Sequence, residues 1–205
     1  MINVLIVDDH ESVRDSLREM FERMEGFHVA GSIPSAAMAE PCCRRWQPDL
    51  VLMDVCTEGG ASGLEAARTI KQQWPHIKII VMSGFDEITY APRARDIGAE
   101  GFVYKHRSLE HFREAVQQVL RGEAVFPEPK TLPLSEGEAP LTEREMEVLR
   151  LLCKPMTTSE IAAELFISES TVKYHKAQML AKTGFTRSVD LAFYMITNGW
   201  INPKY

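Results

Sequence analysis

The chain has 205 residues, a formal net charge of −6, 45% hydrophobic and 25% charged residues. Such a length allows one or two domains, and the composition excludes a mainly disordered chain, a collagen-like repeat and a disulfide scaffold. No stretch reaches the ~18 apolar residues of a membrane span. The start, MINVLIVDDH, lacks the basic region of a signal peptide, so the expected compartment is the cytoplasm, with no membrane partner. Cys42, Cys43, Cys56 and Cys153 have no CxxC spacing and are expected to be reduced, buried small hydrophobes.

Residues 1–121 alternate short apolar runs with helical patterns. Predicted strands are Asn3–Val7, His28–Gly31, Leu50–Met53, Lys78–Met82 and Gly101–Tyr104. Helical spacing links Val13, Leu17, Met20, Phe21 and Met24, and again Leu109, Phe112, Val116, Val119 and Leu120. Runs such as VLIV and IIVM suit strands buried on both faces. Five β–α units predict a doubly wound, five-stranded parallel α/β sheet with a site at the carboxyl ends of its strands.

Residues 122–140 hold four prolines, two glycines and four glutamates without helical period, and read as a linker that allows independent motion. Residues 141–205 then read as a small all-α domain of four helices. Thr142 with Glu145 and Thr157 with Glu160 are capping boxes. Ser168 can cap a third helix that runs to about Thr183, where Gly184 supplies a stop. A fourth helix starts near Arg187 and ends at Asn198-Gly199.

The charge divides along the same lines. Residues 1–121 carry 14 basic and 18 acidic side chains, net −4; residues 122–140 are net −3; residues 141–205 carry 8 against 7, net +1. From Phe166 to Arg187 stand Lys173, Lys176, Lys182, Arg187 and His175 against Glu169 alone. The overall acidity therefore does not exclude a nucleic-acid partner.

Asp8 and Asp9 follow the first predicted strand, and Asp54 follows the third. In a doubly wound sheet these ends are neighbours, so three carboxylates converge and repel. A divalent cation resolves that repulsion, and an all-oxygen carboxylate set favours Mg²⁺. Ser83 ends the fourth strand and Lys105 the fifth. Three acids, a hydroxyl and an ammonium suit phosphoryl transfer to a carboxylate.

The segments VLIVDDH, LVLMD, IIVMSG and GFVYK resemble the receiver domain of bacterial two-component response regulators, a flavodoxin-like fold, over essentially all of residues 1–121. The resemblance implies that Asp54 is the phosphoacceptor. Asp8, Asp9, Asp54 and the backbone carbonyl of Cys56 would hold Mg²⁺. Ser83 would contact the phosphoryl group and Lys105 would pair with it. Phe102 would be the switch aromatic that turns inward when Ser83 moves, and Gly84 would leave the crevice open to the donor. His10 reads as a solvated neighbour.

The chain departs from the family after Asp54. The usual hydrophobe followed by proline is missing, and Val55-Cys56-Thr57-Glu58-Gly59-Gly60-Ala61-Ser62-Gly63 is about one residue longer. The glycines imply a more mobile loop, and Glu58 adds negative charge beside the site. Pro92 falls inside the expected fourth helix, where it would kink it.

In the second half, helical geometry puts Val172 and Met179 on a core face, with Leu180 at its edge. Ser170, Lys173, Tyr174, Ala177, Gln178 and Ala181 point the other way. That outward face can enter a major groove. The stretch LTEREMEVLRLL…TTSEIAAELFISESTVKYHKAQMLAKTG closely resembles the LuxR/NarL-type DNA-binding domain, with its helix-turn-helix. The resemblance implies that 168–183 is the recognition helix and that Lys173, Tyr174 and Ala177 face the groove. Thr171, His175, Lys176 and Lys182 are phosphate candidates. The last helix is a dimerisation surface in the family. Here Val189, Leu191, Ala192, Tyr194, Met195 and Ile196 are more apolar than one core face needs, which fits either a dimer surface or partial burial in the domain core.

The implied function is a response regulator. A sensor histidine kinase phosphorylates Asp54, and the protein dimerises and binds promoter DNA. It is not an enzyme beyond phosphotransfer to its own Asp54. A phosphorylation-independent DNA-binding protein is the alternative that the altered loop suggests. A stand-alone phosphohydrolase fits poorly, because Cys56 stands where such enzymes carry a second aspartate.

Overall fold

The computed structural model describes residues 1–57, 60–85, 87–128 and 134–203. The chain divides into two compact units, Met1–Phe85 with Thr89–Pro129, and Asp86–Ile88 with Lys130–Tyr205.

The first unit holds β1 (Ile2–Val7), α1 (Glu11–Glu22), β2 (Phe27–Ile33), α2 (Ala39–Trp46), β3 (Leu50–Asp54), α3 (Gly63–Gln73), β4 (Lys78–Ser83), α4 (Tyr90–Ile97), β5 (Gly101–Tyr104) and α5 (Leu109–Leu120). All strand pairs are parallel, in the order β2-β1-β3-β4-β5. Strand alternation divides the core in two. Leu5, Val7, Val51 and Met53 pack on one face with Leu64, Ala67 and Tyr90. Val4, Ile6, Leu50 and Leu52 pack on the other with Leu17, Phe21, Phe112 and Val116. Both faces of the central strands are dry, which is why those strands read as continuous apolar runs. The order reverses between β1 and β3, and that switch point brings Asp8 and Asp54 together.

Pro92 does not interrupt α4. The helix begins at Tyr90, so Pro92 is its third residue, where a backbone N–H has no intrahelical acceptor. The expected kink has no cause. Part of the expected linker is also held in place. Val125 N–H donates to the Glu100 carbonyl at 2.9 Å, and the Val125 carbonyl accepts from Phe102 N–H at 2.7 Å. This covers the free edge of β5. The Arg95 guanidinium lies over the Phe126 ring, 4.5 Å from its centre.

The second unit has α6 (Glu143–Leu152), α7 (Thr158–Glu164), α8 (Glu169–Thr183) and α9 (Ser188–Thr197) among its described residues. Thr142/Glu145 and Thr157/Glu160 form complete capping boxes, Ser168 caps α8, and Gly184 closes it in the left-handed conformation. Val148, Leu149, Ile161, Val172, Met179, Leu191 and Met195 form its core. Ser135 N–H donates to the Lys182 carbonyl at 2.8 Å, so the distal end of the expected linker is bonded to this unit. No described helix is long and apolar enough to cross a membrane.

Candidate functional site

Asp8, Asp9, Asp54, Ser83 and Lys105 all lie at carboxyl ends of strands. Asp8 and Asp54 are buried and Lys105 is nearly so. The Lys105 Nζ stands 2.8 Å from an oxygen of Asp8 and 2.8 Å from an oxygen of Asp54. Asp54 is pushed up to about 7, first by burial, then by the charge of Asp8; Lys105 opposes this. Burial works against the Lys105 ammonium, but Asp54 and Asp8 outweigh it and hold its pKa above the ordinary value. One lysine thus compensates two buried carboxylates incompletely, and the site favours a further cation.

Asp8, Asp9, His10 and Asp54 each offer one ligand atom, all within 4.8 Å of one another. Three carboxylates are a hard oxygen set, which fits a magnesium-like ion. His10 stays 65% exposed, with Nδ1 2.7 Å from Asp9. Arg14, not singled out by the sequence patterns, donates to the Asp8 carbonyl at 2.7 Å and the Asp9 carbonyl at 3.0 Å. It clamps the acidic turn from one helical turn into α1.

Ser83 is buried. Its hydroxyl donates to the Phe85 carbonyl at 2.9 Å and accepts from Phe85 N–H at 3.0 Å. Phe102 is buried and meets Tyr104 edge-on at 5.2 Å, so the expected switch aromatic already points inward. A Cβ on Gly84 would meet nothing within 4 Å, so that side of the crevice is open. Cys56 N–H donates to the Asp54 carboxylate.

The loop after Asp54 has a bonded stem. Cys56 and Ser62 form an antiparallel bridge, and Gly63 N–H donates to the Val55 carbonyl at 2.8 Å. Glu58 and Gly59, expected to add charge and mobility, lie outside the described residues. Gly63 is a residue the sequence patterns missed: a Cβ there would fall 1.7 Å from the Asp54 carbonyl oxygen.

The pH dependence of the metal-free protein follows from Asp54. Its folded pKa of about 7 lies above the ordinary 3.8, so folding favours the protonated form. The associated stability is present below about pH 4 and is lost as pH rises through about 7. In EDTA, the urea midpoint of the wild-type protein should therefore fall relative to that of Asp54→Ala between pH about 5 and about 8. Parallel midpoints across that range would contradict it.

In the second unit, Val172 and Met179 are buried, while Lys173, Tyr174, Ala177 and Ala181 are exposed on the opposite stripe of α8. Ser170 lies on the same stripe. Its hydroxyl is 2.7 Å from that of Ser168, and the Thr171 hydroxyl is 2.8 Å from it, so both join the cap. Tyr174 packs edge-on against His175 at 5.6 Å. His175 and Lys176 are half-buried at the flanks of the stripe. Lys182 differs from the expectation. Its ammonium is 2.8 Å from the carboxylate of nearly buried Glu145. Burial opposes the Glu145 charge, but Lys182 and Thr142 hold its pKa below the ordinary value. Lys182 therefore joins α6 to α8 and is withdrawn from the phosphate candidates.

On α9, Leu191, Ala192 and Met195 enter the core, and Tyr194 packs between Phe185 and Trp200. Val189 and Phe193 are left exposed, one helical turn apart. Phe193 was absent from the apolar set read from the sequence.

Comparison with known proteins agrees with both halves. Residues 4–117 match the response regulator receiver domain, and residues 139–195 match the bacterial regulatory proteins of the luxR family. The chain is 36% identical over 189 residues to the response regulator protein VraR of Staphylococcus aureus strain Mu3, covering 88% of this chain and 90% of that protein. A LuxR-family two-component response regulator from Aurantimonas sp. SI85-9A1 aligns with 61% of this chain and 89% of its own, at 30% identity and a TM-score of 0.57. The structure of RcsB from Salmonella enterica serovar Typhimurium, bound to promoter rprA with phosphomimetic BeF3-, covers 96% of this chain and 100% of its own, with a TM-score of 0.68; at 22% identity it is a likeness of fold. The matched receiver and luxR regions and the VraR relationship identify the chain as a member of the response regulator family, a regulator of transcription in two-component signalling.

Proposed function

We propose that residues 1–121 accept a phosphoryl group on Asp54 from a sensor histidine kinase, and that the modified protein dimerises and binds promoter DNA through residues 141–205. The observation that carries this reading is the convergence of Asp8, Asp54 and Lys105 within ion-pair distance at neighbouring strand ends. An ionised Asp54 oxygen attacks the donor phosphorus, the donor departs with the electron pair of its bond, and an acyl phosphate results. Lys105 stands ready to neutralise charge on the transferred group, and the Ser83 hydroxyl exchanges its bond to Phe85 for one to the phosphoryl. Asp8, Asp9, Asp54 and the Cys56 carbonyl would hold Mg²⁺. When bound, Mg²⁺ supplies positive charge to the carboxylates and the phosphoryl oxygens. The new contacts at Ser83 favour one of two arrangements of the unit, a population shift rather than a chemical change elsewhere. The reaction modifies the protein's own side chain, and no turnover of a separate substrate is implied. The expected place of work is the cytoplasm.

For DNA, the exposed stripe of Ser170, Lys173, Tyr174 and Ala177 enters the major groove, with Thr171, His175 and Lys176 toward phosphates. Ala177 offers a thymine methyl an apolar contact and no hydrogen bond. The exposed Val189 and Phe193 extend the proposed dimer surface on α9. Lys173→Ala should weaken binding to a promoter fragment by about 1–3 kcal/mol and leave phosphorylation unchanged. Unaltered affinity and sequence preference in a gel-shift titration would refute this choice of groove face.

The whole reading is tested by intact-mass analysis and gel filtration after treatment with acetyl phosphate and Mg²⁺. Gain of one phosphoryl group with a shift toward dimer is expected. No mass gain would favour the phosphorylation-independent alternative.

A further inference from the structure

The loop after Asp54 lacks the proline that would fix its backbone covalently, so something else must hold it. Thr57, three residues beyond Asp54, is fully buried although it is polar. Its hydroxyl donates to the Ala61 carbonyl at 3.1 Å and accepts from Ala36 N–H at 3.0 Å. Its own N–H points at the same Ala61 carbonyl, at 3.4 Å. One side chain therefore closes the loop across its stem and fastens it to the turn after β2. That turn begins where Ser35 caps the short 3-10 segment Ala36–Met38. The strand leading into it ends at Ile33, whose carbonyl accepts from Asp8 N–H at 3.1 Å. Asp8 and the β3–α3 loop are thus held to the same turn from two sides.

We propose that Thr57 is a positioning residue of the phosphorylation site: its hydroxyl fixes the backbone of the loop beside Asp54, and with it the adjoining Cys56 carbonyl proposed to bind Mg²⁺, in place of a covalent constraint. Both capacities of the hydroxyl are used, one as donor and one as acceptor, as a buried hydroxyl requires. Valine has nearly the same shape but neither capacity. It would leave the Ala36 N–H without its acceptor and free the loop from the turn after β2, with only the backbone bonds of the stem left to hold the Cys56 carbonyl. Serine keeps the hydroxyl and loses only a methyl group. The proposal rests on the reading of the cluster as the Mg²⁺ and phosphoryl site.

The test is Mg²⁺ titration of the full-length, unphosphorylated protein by calorimetry, for wild type, Thr57→Val and Thr57→Ser, with acetyl phosphate kinetics beside it. Outer residues that orient metal ligands commonly alter affinity by about 10–100-fold. Thr57→Val should weaken Mg²⁺ binding about tenfold, and Thr57→Ser should stay within about twofold of wild type. The phosphorylation rate of Thr57→Val should recover when Mg²⁺ is saturating, because the hydroxyl acts on the metal's binding and not on the nucleophile. Thr57→Val that melts earlier but binds Mg²⁺ as wild type does would overturn the proposal, leaving only a structural role. So would Thr57→Ser that binds as weakly as Thr57→Val. Where Thr57→Val does not fold, Thr57→Ala carries the test, because it removes the same donor and acceptor without placing a methyl group where the hydroxyl was. It should weaken Mg²⁺ binding at least about threefold, and unchanged binding would overturn the proposal. A wild-type protein that fails to bind Mg²⁺ would overturn the phosphorylation-site reading itself, a result distinct from any difference among the variants.

Discussion

Asp54→Ala should take up no phosphoryl group from acetyl phosphate or from a kinase, and its DNA affinity should not respond to either. Complete loss is expected because the substitution removes the proposed nucleophile, and the proposed metal ligands Asp8 and Asp9 are not expected to replace it. Asp8 is fully buried and paired with Lys105, and Asp9 is paired with His10. The same substitution should leave the fold intact. Asp54 is a buried acid held up to about 7 by burial and by Asp8, so the folded state bears a cost that alanine relieves. Lys105 then serves Asp8 alone, as a simple pair. The metal-free variant should be at least as stable as wild type above pH about 7 in urea unfolding. A marked destabilisation there would mean that Asp54 is a structural ion-pair partner first.

Gly63→Ala should be the more damaging change to the architecture. Its Cβ would lie 1.7 Å from the Asp54 carbonyl oxygen, 2.8 Å from the carbonyl carbon and 3.1 Å from Met53 Cγ. The first two are backbone atoms, so no rotamer change relieves the contact. Either the start of α3 or the end of β3 must move by about 1 Å or more. Overpacking of this kind typically costs about 1–3 kcal/mol, and here the displaced backbone is that of the residue proposed to carry the nucleophile. A shift of about 1 Å in a reacting group can cost about 10²-fold in rate. The expected outcome is a lower melting temperature together with phosphorylation slowed by about two orders of magnitude. Wild-type kinetics in Gly63→Ala would show that Asp54 tolerates displacement.

The residues whose placement was legible in the sequence are those fixed by local spacing. Asp8, Asp54, Ser83 and Lys105 stand where apolar runs end, and runs buried on both faces announce a parallel sheet. The two capping boxes, Ser168 and Gly184 marked the helices of the second unit within a residue or two, because cap chemistry is local. The core face of α8, Val172 and Met179, followed from helical geometry, as did the exposure of Lys173, Tyr174, Ala177 and Ala181, while Gln178 is half-buried.

What escaped was tertiary. Thr57 reads as a small polar residue in a glycine-rich loop, and only the turn after β2 reveals what its hydroxyl holds. Gly63 reads as a helix start, and its close approach to Asp54 depends on how α3 meets β3. Lys182 reads as one more base near a recognition helix until Glu145 of α6 is beside it. Pro92 reads as a kink in α4 only while the helix start cannot be placed to the residue. Phe193 was passed over because the apolar excess of α9 hides which of its residues the core uses. Residues 123–126 carry a linker's composition, yet their backbone completes the edge of β5.

The central claim is that chemistry at Asp54 governs DNA binding by the second unit. Its most direct test is the affinity of the full-length protein for a promoter fragment, measured at one fixed salt concentration, with Mg²⁺ alone and with Mg²⁺ plus beryllofluoride. Salt must be held because phosphate contacts make any affinity depend on it. Tighter binding with beryllofluoride, accompanied by dimer formation and absent in Asp54→Ala, is the predicted result. Equal affinity under both conditions, with beryllofluoride bound at Asp54, would contradict the account.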